Sequence, residues 1–191
     1  MKKLLLIFMI GVVFMSCAKE DKVAVISTKF GNMIVEFYDD VAPMHVESFK
    51  ILADEGYFNK TTFHRVIPGF VIQGGDPNSK DDDRMNDGTG GRAGKFFGIG
   101  REDDPASWNL PAEFNDKEHV KGTLSMARSS NPNSGSSQFF ICHAATPQLN
   151  NQYTVFGQVI EGLEVIDQIV YADTPRKPVS YTHLTLPTSS Q

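Results

Sequence analysis

Cysteine is scarce in this chain: Cys17 and Cys142 are the only two in 191 residues. So few exclude a multi-disulfide scaffold. Basic charge is also short, and a net charge of −5 argues against nucleic acid as a partner. No apolar run is long enough to span a bilayer as a stable helix; the longest, Leu4 to Met15, is too short. The glycine-rich stretch Asp87-Gly88-Thr89-Gly90-Gly91 lacks a following Gly-Lys-Ser/Thr, which excludes a phosphate-cradling loop. Asp81-Asp82-Asp83 lacks the alternation of a calcium loop, and Arg84 follows at once, so it reads as a solvated acidic loop. There is no Gly-x-Ser-x-Gly elbow around Ser136 or Ser137, and His143 and Asp167 lack triad spacing, which argues against a serine hydrolase.

What remains is a chain long enough for one domain with its own core, 40% apolar and without internal repeats. Val23 to Thr28 and Met33 to Tyr38 alternate around Lys29-Phe30-Gly31-Asn32, a hairpin pattern. Pro43 to Glu55 predicts a helix, with Pro43 in its first turn and Val46, Phe49, Leu52 and Ala53 on one face. Gly56 is its stop, and His45 is expected to face solvent. Residues 78 to 109 are expected to form a long polar loop. Strands are expected over Gly122 to Ala127, Ser137 to His143 and Tyr153 to Ile160. A second helix follows over Gly162 to Val170, with Leu163, Ile166 and Val170 inward. Cys142 reads as a buried small hydrophobe.

The organising stretch is Phe63-His64-Arg65-Val66-Ile67-Pro68-Gly69-Phe70-Val71-Ile72-Gln73-Gly74-Gly75-Asp76. Alternation puts Phe63 with Arg65 on one face, Val71 with Gln73 on another, and Phe70 with Ile72 opposite. Arg65 in so apolar a segment is either salt-bridged or snorkelling at a strand edge, or it binds a ligand. Gln138, between Ser137 and Phe139, either bonds the scaffold or faces a groove. A second block answers the first: Gly122 to Arg128, then Ser136 to Ile141. Together the two blocks resemble the signature segments of the cyclophilin family of peptidyl-prolyl cis-trans isomerases, over residues 23 to 179.

The resemblance implies a mainly β fold: a closed antiparallel eight-stranded barrel capped by two helices. It implies catalysis of X-Pro rotation without metal or organic cofactor, on proline-containing polypeptides, by a monomer. Arg65 is then the donor toward the prolyl nitrogen and Gln73 the residue that holds it. Phe70, Val71, Phe140 and Leu149 form the proline pocket, with Val71 where the family usually has Met. Ala127 and Arg128 form the edge that pairs with peptide main chain, and Gln138 lines the adjoining groove. His64 gives structural support. Tyr153 stands where eukaryotic members carry a pocket His, and Gln148 where they carry the Trp that contacts cyclosporin. A peptide-holding chaperone with little turnover is the alternative, although a mere holder would not require Arg65.

The two ends read differently. Lys2 and Lys3, the apolar run and Ser16-Cys17 resemble a bacterial lipoprotein signal, with Met15 where a small residue is usual. Residues 1 to 16 are then a leader, Cys17 the acylated membrane anchor, and 17 to 22 a tether. The alternative is an ordinary cleaved secretory leader with an incidental cysteine. Lys19-Glu20-Asp21 resembles a surface-export signal of Bacteroidetes lipoproteins, so the expected location is the cell envelope, periplasmic or surface-exposed. At the other end, residues 180 to 191 are uncharged and contain Pro187. They read as a non-native tail that leaves the final strand missing or poorly replaced.

Overall fold

The computed structural model describes residues 23–172 and 179–185. The expected leader, Cys17 and the tether lie outside the described residues. Strand β1 (Val23–Thr28) and β2 (Gly31–Phe37) form the expected hairpin, with Ala24↔Val35 and Ile26↔Met33 in register. Alternation sends Ala24, Ile26, Met33, Val35 and Phe37 into the core. Further along come β3 (Thr62–Phe63), β4 (Arg65–Val66), β5 (Val71–Gly74), β6 (Thr123–Met126), β7 (Phe139–Cys142), β8 (Val155–Glu161) and β9 (Val179–Thr185). They make one curled sheet in the order β3-β9-β1-β2-β8-β6-β7-β5-β4.

The fold is therefore mainly β with two helices, as expected. The closed eight-stranded count is not what the ladder gives. Among the described residues it has nine members, and β3 and β4, separated only by His64, stand at its two ends. The break at His64 also corrects the expected shared face: Phe63 is buried in the core while Arg65 is exposed. The last strand is not left vacant. Residues 180–185 continue from Val179 into β9, which pairs with both β1 and β3. Its pairing with β1 shifts register between Ser27 and Thr28.

Helix α1 (Pro43–Asp54) buries Val46, Phe49, Leu52 and Ala53 as its spacing predicts, and Glu55 is its C-cap. Gly56 follows at φ +67°, a left-handed stop that costs glycine nothing. Phe49 is the hub of the core, its ring centroid 5.5 Å from Phe37, 4.9 Å from Phe58, 5.4 Å from Phe139 and 5.6 Å from Phe156. Helix α2 (Leu163–Val170) buries Val165, Ile166, Ile169 and Val170, whereas Leu163 stays 37% exposed at its first turn.

The start of α1 corrects another expectation. Ala42 at the N-cap has no side-chain oxygen to receive the free N–H groups of the first turn. Glu113 supplies it from far along the chain, accepting from Met44 N–H at 3.1 Å and His45 N–H at 3.0 Å. Its carboxylate also meets His45 Nδ1 at 2.5 Å. His45 is therefore buried, 1% exposed, and not in solvent. Burial pushes the Glu113 carboxyl upward, but the bonds from the His45 ring and the two N–H groups outweigh it. The net direction is below its ordinary 4.5.

A depressed carboxylate has a definite sign of linkage. The unfolded state takes up its proton first, so the stability that Glu113 contributes is full above pH 4.5 and fades as pH falls through the lower folded value. Urea midpoints from pH 7 down to roughly pH 3 should thus fall more steeply for the wild type than for Glu113→Gln. Parallel profiles would remove Glu113 from the acid response.

Candidate active site

Antiparallel pairing of β4 with β5 sets Arg65 opposite Gln73, and pairing of β5 with β7 sets Gln73 opposite Phe140. Arg65 is neither buried nor salt-bridged among the described residues. Its Nη1 donates to Gln73 Oε1 at 3.2 Å, and its guanidinium lies 5.9 Å from the centre of the Phe70 ring. Gln73 Nε2 donates to Gln138 Oε1 at 3.0 Å, and Gln138 Nε2 donates to the Gly90 carbonyl at 2.7 Å. The Gly90 carbonyl can only accept, so each amide must point its oxygen toward Arg65. Among the described residues, the relay uses one of the five guanidinium N–H donors.

Beside it lies a cavity of about 170 Å³, bounded by Arg65, Phe70, Val71, Gln73, Ala127, Arg128, Phe140, Leu149 and Tyr153. Nine of the ten catalytic and substrate-contacting residues named from the sequence thus meet in one place. The tenth, Gln138, lines the neighbouring cavity of about 310 Å³ with Gly88 to Gly91, Ser136 and again Gln73. Phe70 reaches the same cavity as Val71 and Gln73, against simple alternation, because it sits in the turn before β5 begins. Ile72 does point the other way, into the main core.

The floor is apolar. Val71, Phe140 and Cys142 are buried together, with Phe70, Ala127, Leu149 and Tyr153 packed on them. Cys142 is buried as expected, and burial pushes its thiol up to about 11, far from a reactive thiolate. Phe140 meets Tyr153 edge-on at 5.6 Å and stacks on His119 at 5.9 Å. His119 Nδ1 is 3.0 Å from Asn150 Oδ1, and its Nε2 is 3.0 Å from the Ser125 hydroxyl. Burial pushes its pKa down more than the Asn150 bond raises it, so the ring is a neutral support.

Arg128 does more than the sequence suggested. Its Nε and Nη2 donate to the Gln152 carbonyl at 3.0 and 2.8 Å, and its Nη1 to the Ser129 carbonyl at 2.9 Å. The guanidinium lies 4.6 Å from the Tyr153 ring centre. The side chain thus fastens one wall of the cavity.

Asp76 was missed. It is fully buried, and its carboxylate accepts from Asn78 N–H at 2.8 Å and from Gly88 N–H. That anchors the glycine loop whose Gly90 carbonyl ends the relay. An acid closing a turn just before Pro77-Asn78-Ser79 is a capping signature that could have found it. His64 packs against Gly88, and among the described residues neither of its ring nitrogens has a hydrogen-bond partner. Burial lowers its pKa, although Asp76 and Asp87 pull the other way. Ser137 donates to the Gly75 carbonyl at 2.7 Å and belongs to no triad.

Among the described residues, no Ser, Cys, His, Asp or Glu borders this cavity. An exposed cation thus stands at the rim of an apolar pocket, an arrangement suited to a ligand with a polar group beside an apolar one.

The model of the cyclophilin type peptidyl-prolyl cis-trans isomerase family matches residues 23–185. A probable peptidyl-prolyl cis-trans isomerase of Brucella abortus is 42% identical over 154 residues, covering 81% of this chain and 74% of the relative. One from Synechococcus elongatus is 38% identical over 152 residues, covering 78% and 90%. Among solved structures, a Cryptosporidium parvum cyclophilin type isomerase in the presence of the dipeptide Ala-Pro is similar, with TM-score 0.72 and 30% identity. That match covers 87% of this chain and 99% of that one. The chain belongs to the cyclophilin family and is a peptidyl-prolyl cis-trans isomerase.

Proposed function

We propose that the chain accelerates rotation about X-Pro bonds in polypeptides folding within a bacterial cell envelope, held there by acyl chains on Cys17. It works as a monomer, without metal or organic cofactor. In this reading the sheet is an eight-stranded barrel closed through the bend at His64, β3 and β4 being one broken strand.

Amide rotation faces a barrier of roughly 18–20 kcal/mol from N–C resonance. No acid, base or nucleophile is needed; the twisted amide must be bound better than either planar form. Twisting localises a lone pair on the prolyl nitrogen, and a donor aimed there acts selectively on the twisted state. Arg65 is that donor, with Gln73 and Gln138 fixing its direction. Phe70, Val71, Phe140, Leu149 and Tyr153 hold the ring while the acyl side turns. The edge at Ala127 and Arg128 pairs with peptide main chain. Five decades of acceleration require about 7 kcal/mol, within reach of a charge-assisted hydrogen bond combined with positioning.

The observation that carries this reading is the relay-held Arg65 at the rim of the apolar cavity. The test is isomerisation of an Ala-Pro peptide by the wild type and by Arg65→Ala. Wild-type turnover that survives the substitution would refute the assigned role, and strong peptide binding without turnover would support a holding module instead.

Two further outcomes follow. Gln148, exposed on the short turn beside Leu149, offers no indole to cyclosporin, so inhibition should be weak while activity is kept. A nanomolar inhibition constant would contradict this. Labelled fatty acid should enter the wild type in a bacterial host and not Cys17→Ala. Equal labelling would exclude Cys17 as the anchor.

A further inference from the structure

The turn between β4 and β5 presents Phe70 to the cavity, and its tip is tied down from outside. Gly69 N–H donates to His143 Nδ1 at 2.8 Å, and His143 N–H donates to the Phe70 carbonyl at 2.9 Å. One residue therefore grips the turn twice. The other ring nitrogen, Nε2, lies 3.1 Å from Asp167 Oδ1 on α2. Asp167 is itself held by Lys121 Nζ at 2.6 and 2.8 Å.

An imidazole nitrogen that accepts an N–H must keep its lone pair. Nδ1 is thus unprotonated and Nε2 carries the hydrogen, which is the tautomer that Asp167 receives. If the ring gains a second proton, Nδ1–H meets Gly69 N–H, donor against donor. The charged groups around the ring are Asp167 and Lys121, and the Tyr171 ring packs on it edge-on at 5.7 Å.

We propose that His143 is a positioning residue for the proline pocket. As the neutral Nε2–H tautomer it fixes Phe70 through Gly69, and its protonation releases that wall and weakens peptide binding in acid. This rests on the reading of the cavity as the proline site. His143 is not among the residues that line the cavity, so the effect falls on affinity and less on the rotation step.

The experiment measures KM and kcat for an Ala-Pro peptide from roughly pH 8 to roughly pH 5, the span over which imidazoles change charge. It compares wild type, His143→Asn and His143→Leu. Asn offers an acceptor oxygen that does not titrate. The wild-type KM should rise about three- to tenfold on acidification, the effect of losing roughly one hydrogen bond. His143→Asn should match the neutral-pH value within about twofold and flatten the profile. His143→Leu should be weak throughout.

A profile kept by His143→Asn would overturn the proposal. So would a His143→Leu enzyme with wild-type KM. Should the Leu variant not fold, nitrogen-15 NMR of the wild type decides: Nδ1 must be unprotonated at neutral pH, and the Gly69 amide must shift as the solution is acidified. A protonated Nδ1 at neutral pH would sink the idea. Failure of the wild type to bind the peptide at any pH would instead defeat the cavity reading, and this inference with it.

Discussion

Replacing Arg65 with Ala is expected to lower kcat/KM for an Ala-Pro peptide about 100- to 1000-fold, the loss seen when one preorganised donor is removed. On the proposed role, peptide affinity should change by less than about threefold, the donor acting on the twisted amide and not on either planar form. The reason lies in what Arg65 does and does not touch. It is exposed and, among the described residues, makes no ion pair and holds one side-chain hydrogen bond, to Gln73. Removing it leaves the floor of Val71, Phe140 and Cys142 intact. Arg65→Lys should recover only part of the rate. An ammonium retains charge but lacks the planar fork that can bond Gln73 and still face the ligand. Equal losses in affinity and turnover would mean that Arg65 merely holds substrate.

The second large effect is on stability. Phe49→Ala should destabilise the fold by about 3–5 kcal/mol, the cost of emptying a packed aromatic site. Four other rings surround Phe49, from β2, β7, β8 and the segment after α1, so collapse into the void would have to move several elements at once. For a domain of this size the melting temperature should fall by about 6–20 °C. Phe49→Leu should cost less, roughly 1–2 kcal/mol, because it keeps most of the volume. A shift of only a degree or two for the Ala variant would show that α1 repacks freely, against the close packing seen here.

The pocket was legible in the sequence because its residues are out of place in ordinary strands. A lone Arg, two Gln and a row of aromatics have few reasons to share short β segments, and their order carried the resemblance. Much of the scaffold was legible by period: the hairpin of β1 and β2, and the face of α1 centred on Phe49. What escaped was set by partners distant in sequence. Glu113 caps α1 across 68 residues, and no local signal at Pro43 or His45 announces it. The pairing of His143 with Asp167 and Gly69 was invisible for the same reason; spacing alone spoke only against a serine triad. The separate fates of Phe63 and Arg65 turn on one bend at His64, which alternation cannot foresee. Strand β9 shows the opposite case. A stretch with little core pattern still lies in the ladder, because the neighbouring edges of β1 and β3 offer backbone partners whatever the side chains.

The chain of amides from Arg65 to Gly90 has a direction, and its reference point is not in the pocket. Each glutamine takes its orientation from the next, and the last from a carbonyl on a loop moored by Asp76. The glycine loop is therefore the sighting mark by which the cation is aimed. An insertion or deletion between Asn78 and Gly88 would leave every residue of the pocket wall unchanged and still turn the proposed donor, Arg65, off its target. Variation of this loop among related chains would then tune catalytic speed independently of which prolines are held.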